Sequence, residues 1–330
     1  MELKRKTSTF FGVPQIREFI VHGVLASIAG ILIITFSLIS PQFATLGNFL
    51  NLFRQIAPNL IASVGMTYVI CSGGIDLSIG ALLAVIGVLA ALMARVINNV
   101  LLIIVVTLLT GMLAGAVAGY FISFHNFPAF IVTLGTMTIL RGIALVLTKG
   151  FSIPIDPLHP VIVLGRGWFL GLPVPVWIAF LVILVGGGFF TLTPYGIYVA
   201  GIGSNEEATR RAGINVKRVR FFLYCFNGAV VALAGLILAA RVGAGSSYVG
   251  QGFELTVITA VILGGTPLAG GEAKLLGTFL GTFVLSLVGN GLIMAKISPY
   301  FTGIAEGVIL LFAIVANRNL RLAIQRQLKV

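Results

Sequence analysis

The chain has 330 residues, 58% hydrophobic and only 9% charged, with a mean hydropathy of +1.11. Soluble domains carry roughly 25% charged residues, so the composition excludes a soluble domain and predicts an all-α polytopic membrane protein. The net charge of +12 is a matter of topology: three basic blocks hold 13 of the 21 Lys and Arg residues, as the positive-inside rule produces, and no aromatics interleave there for base stacking on nucleic acid.

The first block, Lys4, Arg5, Lys6 and Arg17, precedes an apolar run over about 19–39. That run is too long for a signal-peptide core and has no convincing cleavage site, so it is read as the first of about ten spans. A second and third occupy about 56–93, divided by Ser72-Gly73-Gly74-Ile75-Asp76; a single broken helix entering and leaving at mid-depth is the other reading. A fourth covers about 100–122 and a fifth about 129–147. A polar connection, Lys149–Gly171, leads to a sixth at about 173–191. The loop 192–219 carries the second basic block, Arg210, Arg211, Lys217, Arg218 and Arg220. Spans at about 221–240, 255–270, 274–294 and 300–316 follow, and Arg318, Arg321, Arg326 and Lys329 end the chain. Ten crossings put both termini on one side, the cytosol, together with the loop 192–219. The 41 glycines suit close helix packing in a membrane bundle.

A weak internal repeat joins Gly74-Ile75-Asp76-Leu77-Ser78 to Gly252-Phe253-Glu254-Leu255-Thr256, and Pro128 to Pro299, each before an apolar run. The repeat units, about 55–147 and 226–316, are five crossings apart and so run in opposite senses, a transporter signature. They form one transmembrane domain over 1–330.

One polar island stands out in the loop 192–219. Ser204, Asn205, Glu206, Glu207, Ala208, Thr209, Arg210, Arg211 and Gly213 read as a short capped helix. Ser204 is the expected N-cap, with Glu207 completing a capping box. The acidic pair suits the positive helix start and the basic pair its negative end, and Gly213 offers the left-handed stop. Such an element between spans predicts a docking site for a cytosolic partner.

Enzyme chemistry has little support. His22, His125 and His159 are scattered, with no metal-ligand spacing, so no metal site is predicted. The glycine-rich run Gly264–Gly271 lacks the Gly-Lys-Ser/Thr that holds phosphates; it reads as a helix break. Cys71 and Cys225 lie in apolar runs and predict no disulfide framework. Asp76 and Glu254, with Gly73 and Gly74, mark helix breaks; each carboxylate either caps the following helix or lines a polar path. Phe130, Thr133, Thr136, Asn227 and Asn290 are the candidate path residues for a neutral polar solute, although helix–helix hydrogen bonding accounts for each one separately. No voltage-sensor helix or Thr-Val-Gly-Tyr-Gly filter is present, which disfavours a channel.

Ile70–Gly80, Pro128–Gly135, Ile262–Gly271 and Asn290-Gly291-Leu292 together resemble the ribose-type ABC sugar permeases, in order and over about residues 45–315. The resemblance implies a type II ABC importer-like fold and import of a monosaccharide or related small polar solute. It implies two permease subunits, alike or different, on two cytosolic ABC ATPase subunits that bind ATP and Mg, leaving this chain without cofactor. An extracytoplasmic sugar-binding protein would deliver the solute. Ser204 to Gly213 would then be the element that docks into the ATPase, with Glu207 replacing a common Ala. Arg54, Arg95, Arg166 and Arg241 are expected near the outer surface, where they would meet acidic patches of the binding protein. Two alternatives stay open: an ABC permease for branched-chain amino acids or nucleosides, and an ion-driven secondary carrier.

Overall fold

The computed structural model describes residues 13–298 and 300–327, with side chains for 21–298 and 300–315. The side chains of the first and last basic blocks, and Pro299, lie outside the residues so described. The chain is an all-α polytopic membrane protein, its helices in order α1 (Val13–Ile39), α2 (Leu46–Cys71), α3 (Ile79–Ala94), α4 (Val100–Phe124), α5 (Ala129–Thr148), α6 (Val163–Arg166), α7 (Val174–Leu192), α8 (Pro194–Ser204), α9 (Glu206–Arg211), α10 (Val216–Val242), α11 (Phe253–Leu263), α12 (Leu275–Met294) and α13 (Tyr300–Gln327). Two small antiparallel pairs complete it. β1 (Ile153–Pro154) pairs with β4 (Ala244–Gly245), and β2 (Trp168–Phe169) pairs with β3 (Leu172–Pro173).

Each predicted span coincides with a helix, but the helices are not equal. Among the described residues six are long and apolar enough to cross a membrane: α1 from Val21, α4, α5, α7, α10 and α12. α2, with 17 buried residues of 26, is the central post, packed against α7, α10, α11 and α12. Its length, not a half-depth break, follows Asn48 and Thr45, whose hydroxyl accepts from the Asn48 amide and starts the helix ten residues before the expected boundary.

α3 and α11 are shorter than the even picture of ten spans suggests. α11 has 11 residues, about 16 Å, against a hydrocarbon core of about 30 Å; Gly264 ends it, so the predicted run to 270 is not one helix. α3 is 16 residues long, about 24 Å. Asp76 lies level with Asn227 of α10, Leu83 with Gly235, and Gly87 with Ala239, so α3 begins partway along α10. Glu254, at the start of α11, reaches Gly80 at the start of α3. The two short helices therefore start from one central point. The seam between α4 and α10 is close because Gly111 and Gly115 meet Gly228 and the Tyr224 carbonyl; a Cβ on any of these glycines would collide with backbone, a small-residue contact of the kind membrane bundles use. Large apolar side chains of α1, α4, α5, α7 and α13 face outward, as lipid contact requires.

Candidate functional site

The polar island forms its helix one residue later than the sequence suggests. Ser204 is the last residue of α8, inside a segment read as loop. Asn205 is the N-cap of α9: it is extended at φ −160°, and its Oδ1 accepts from the Ala208 amide at 2.9 Å. Asn caps as well as Ser, and Ser204 is held helical because Gly203 sits directly on the Cys71 carbonyl and the Gly271 amide. The capping box is not made. Glu207 instead pairs with Arg210 and, at 3.0 Å, with Arg211. These guanidinium groups, Arg210 foremost, hold the exposed Glu207 carboxyl below the usual carboxylate range. Gly213 takes φ +85° and ends the turn. With six residues the helix is about 9 Å long.

Two contacts fasten α9 to its neighbours, and a third fastens α8, which precedes it. Glu206 forms a 2.7 Å ion pair with Arg220 in the first turns of α10. Buried Thr209 donates to the Asn205 carbonyl at 2.9 Å and abuts Gly201. Gly203 and Gly271 meet at the Cys71 carbonyl, which accepts from the Gly271 amide at 2.8 Å; this joins α8, the end of α2 and the α11–α12 connection. Ala208, Arg210 and Arg211 face outward.

The predicted caps divide. Gly73 (φ +78°) and Gly74 close α2, the Gly74 amide bonding the Val69 carbonyl at 3.0 Å. Buried Asp76 accepts from the Ser78 amide (2.9 Å) and hydroxyl (2.6 Å) through Oδ1, and from Asn227 Nδ2 at 2.8 Å through Oδ2. Ser78 occupies the N-cap position itself. Glu254 caps nothing: it lies in the first turn of α11, where the Gly252 carbonyl already takes the Leu255 and Thr256 amides. Its Oε2 is buried without a hydrogen-bond partner among the described residues, and the carboxylate interacts electrostatically with Arg141 of α5. Arg141, unremarked in the sequence, donates to the Ser247 and Val249 carbonyls and pins the approach to α11.

The five candidate path residues do not converge. Phe130 faces outward on α5. Thr133 and Thr136 donate to the carbonyls of Ala129 and Val132 four residues back. Asn227 belongs to the Asp76 network, and Asn290 exchanges amide hydrogen bonds of 3.0 and 3.2 Å with Asn48. Only Asn290 also borders the polar chamber of about 360 Å³ among α2, α10, α11, α12 and α13. The chamber's other polar lining, including Gln55, Asn59 and Glu306, was missed; the signal was there, in polar pairs one turn apart within apolar helices.

The arginines expected at the outer surface are partly interior. Arg54 is half-buried, its guanidinium 4.7 Å from the Trp168 ring centroid. Arg166 is exposed but spends its donors on the Arg241 and Val242 carbonyls, both at 2.8 Å. Arg241 is half-buried beside the chamber. Arg95 is exposed at the C-cap of α3. Arg54 and Arg241 are drawn inward because α2 and α10 are packed on several sides, and their side chains lie beside Trp168 and Arg166 of the 149–173 connection.

The bundle carries a fastened polar helix at one end of α10 and a polar chamber at the other, and its relatives are membrane permease subunits. The family "Branched-chain amino acid transport system / permease component" matches residues 48–314, and the chain belongs to it. The chain is 39% identical to the ribose import permease protein RbsC of Haemophilus influenzae, covering 96% of this chain and 98% of that one. It is 37% identical to the protein of that name from Bacillus subtilis, covering 88% and 90%. Against the xylose transport system permease protein XylH of Escherichia coli identity is 32%, covering 92% and 93%. No solved structure matches the chain. As a permease component the chain is a transporter subunit and not itself an enzyme.

Proposed function

We propose that the chain is the membrane subunit of an ATP-driven, binding-protein-dependent importer of a monosaccharide in the bacterial inner membrane. The observation that carries this reading is the separation of two polar features along α10. Arg220, which holds α9, and Arg241, which borders the chamber, are about 30 Å apart on the helix axis. One end is built to receive force and the other to receive solute. Relatives named for ribose and xylose import, similar over nearly the full length, favour a sugar over the branched-chain amino acids of the family's description.

In this reading α9, with Ser204 and Gly213 at its ends, docks into a cytosolic ATPase that binds ATP and Mg²⁺. A second permease subunit and lipid cover the outward apolar faces, and the termini lie in the cytosol. The binding protein delivers solute at the end where Arg54, Arg95, Arg166 and Arg241 lie. The units 55–147 and 226–316 act as inverted repeats whose broken helices, α3 and α11, start at mid-depth, as in many transporters. Movement of α9 passes through Gly203, Gly271 and the Cys71 carbonyl into α2 and the α11–α12 connection, and alternately opens the chamber.

Co-purification tests it. The intact chain, expressed with its ATPase and binding protein, is expected to retain the ATPase and to drive ATP-dependent ribose uptake in proteoliposomes. Removal of Ser204–Gly213 should abolish both. Uptake that follows an ion gradient without any ATPase would overturn the reading.

A further inference from the structure

Three apolar helices each present two polar side chains one turn apart to the same chamber: Gln55 and Asn59 on α2, Ser286 and Asn290 on α12, Thr302 and Glu306 on α13. Residues four apart share a helix face, and polar groups inside a membrane protein are costly unless they serve a path or a partner. The chamber also holds two opposite charges that are not spent on each other. Glu306 is oriented by Thr256, whose hydroxyl donates to Oε2 at 2.7 Å. Oε1 has no hydrogen-bond partner among the described residues. Arg241 Nη1 is buried and likewise without one, and no ion pair joins Arg241 to Glu306 among the described residues. The volume, about 360 Å³, falls in the range of small-molecule sites.

We infer that this chamber is a selectivity site for a polyhydroxylated solute within the permease itself, with Glu306 accepting a hydroxyl hydrogen and Arg241 donating to a hydroxyl or ring oxygen. A sugar hydroxyl both donates and accepts, so one small polyol satisfies the carboxylate, the guanidinium and the neighbouring amides together. The buried ring of Phe253 in the same wall offers an apolar surface for the C–H face of the sugar. The inference rests on the sugar reading above. It adds that solute choice is not left to the delivering protein alone.

The test uses the whole transporter, permease with ATPase and binding protein, in proteoliposomes supplied with ATP. Uptake of radiolabelled D-ribose, D-xylose and L-leucine is measured together with phosphate release. Glu306→Gln keeps the size of the side chain and removes its charge. It should lower ribose carried per ATP about tenfold, the expected effect of losing one hydrogen bond to a charged group, and Glu306→Asp should recover part of it. An unchanged ratio in both Glu306→Gln and Asn59→Leu would overturn the inference while leaving the sugar reading intact. Wild-type uptake of L-leucine in place of either sugar would overturn both. A second measurement does not depend on turnover. Ser286→Cys should react with a membrane-impermeant maleimide, against a background kept low by the burial of Cys71 and Cys225. D-ribose should slow that reaction and L-leucine should not; labelling indifferent to sugar would also sink the proposal.

Discussion

The two ends of α10 use the same residue types in opposite ways. Near Val216 the charged side chains, exposed apart from the half-buried Arg220, pair among neighbours, Glu207 with Arg210 and Arg211, Glu206 with Arg220. Near Val242 they turn inward: Arg241 borders a chamber, Glu306 faces it from α13, and buried guanidinium nitrogens lack partners among the described residues. In water, charge stabilises a short helix and displays it to a partner. Inside the bundle the same charge is expensive, and it persists where something else will complete it. A permease needs both kinds of place, and α10 is the rod between them.

The comparison breaks most sharply if the two ends are disconnected. Gly203 lies where a Cβ would collide with the Cys71 carbonyl and Gly271 amide, so Gly203→Val should separate α8 from the end of α2. ATP-dependent uptake is expected to fall at least about tenfold, in line with the loss of one discrete arrangement in a two-state element, while the ATPase still co-purifies through α9. Full uptake by this variant would show that force does not pass through that junction.

The next test lies between the ends. Asp76→Ala leaves Ser78 and Asn227 Nδ2 without their buried acceptor. An unsatisfied buried group costs about 1–3 kcal/mol, to be read as a lower unfolding midpoint in detergent; Asp76→Asn should cost less, because an amide oxygen can still accept. Equal midpoints for the alanine variant and the parent would exclude a structural role for Asp76.

Smaller still is the pair beside the chamber. Asn48 and Asn290 exchange two hydrogen bonds, and a double-mutant cycle to alanine should give a coupling of about 0.6 to about 1.7 kcal/mol, the membrane-interior range. Zero coupling would mean the pair is spectator packing.

The smallest effect belongs to the exposed end. Glu207 has a folded pKa depressed by Arg210 and then Arg211. Its contribution is therefore present above the unfolded value, near ~4.3, and is lost as pH falls through the folded value. Amide exchange over Ala208–Ala212, corrected for intrinsic rates, should stay constant from about pH 7 to about pH 5 and quicken below about pH 4. Added salt should weaken the same protection. Exchange that quickens already at neutral pH would assign the helix's order to Asn205 and Thr209 alone.

Much of this was readable beforehand. The capped polar helix was legible because its caps, charges and terminal glycine act within one or two turns, and only the choice between Ser204 and Asn205 as cap needed the contact of Gly203 with Cys71 and Gly271. The chamber was not legible. Gln55 is separated from Ser286 and Glu306 by most of the chain, and each lies in a helix whose average hydropathy hides it. Phe130, Thr133 and Thr136 were conspicuous for the opposite reason, clustering in one motif, yet two of them bond their own helix and the third faces out.

Sequence by itself determined what is local and additive. Hydropathy summed over about 20 residues made this a membrane protein, the basic blocks gave an expected topology, and family motifs spanning residues 48–314 made it a permease. Tertiary structure alone decided which helices are short, which polar groups are satisfied by neighbours and which border the chamber without a partner among the described residues. The reason is that a hydrogen-bond donor's fate depends on what lies within about 3 Å of it, and in a bundle that neighbour comes from another helix.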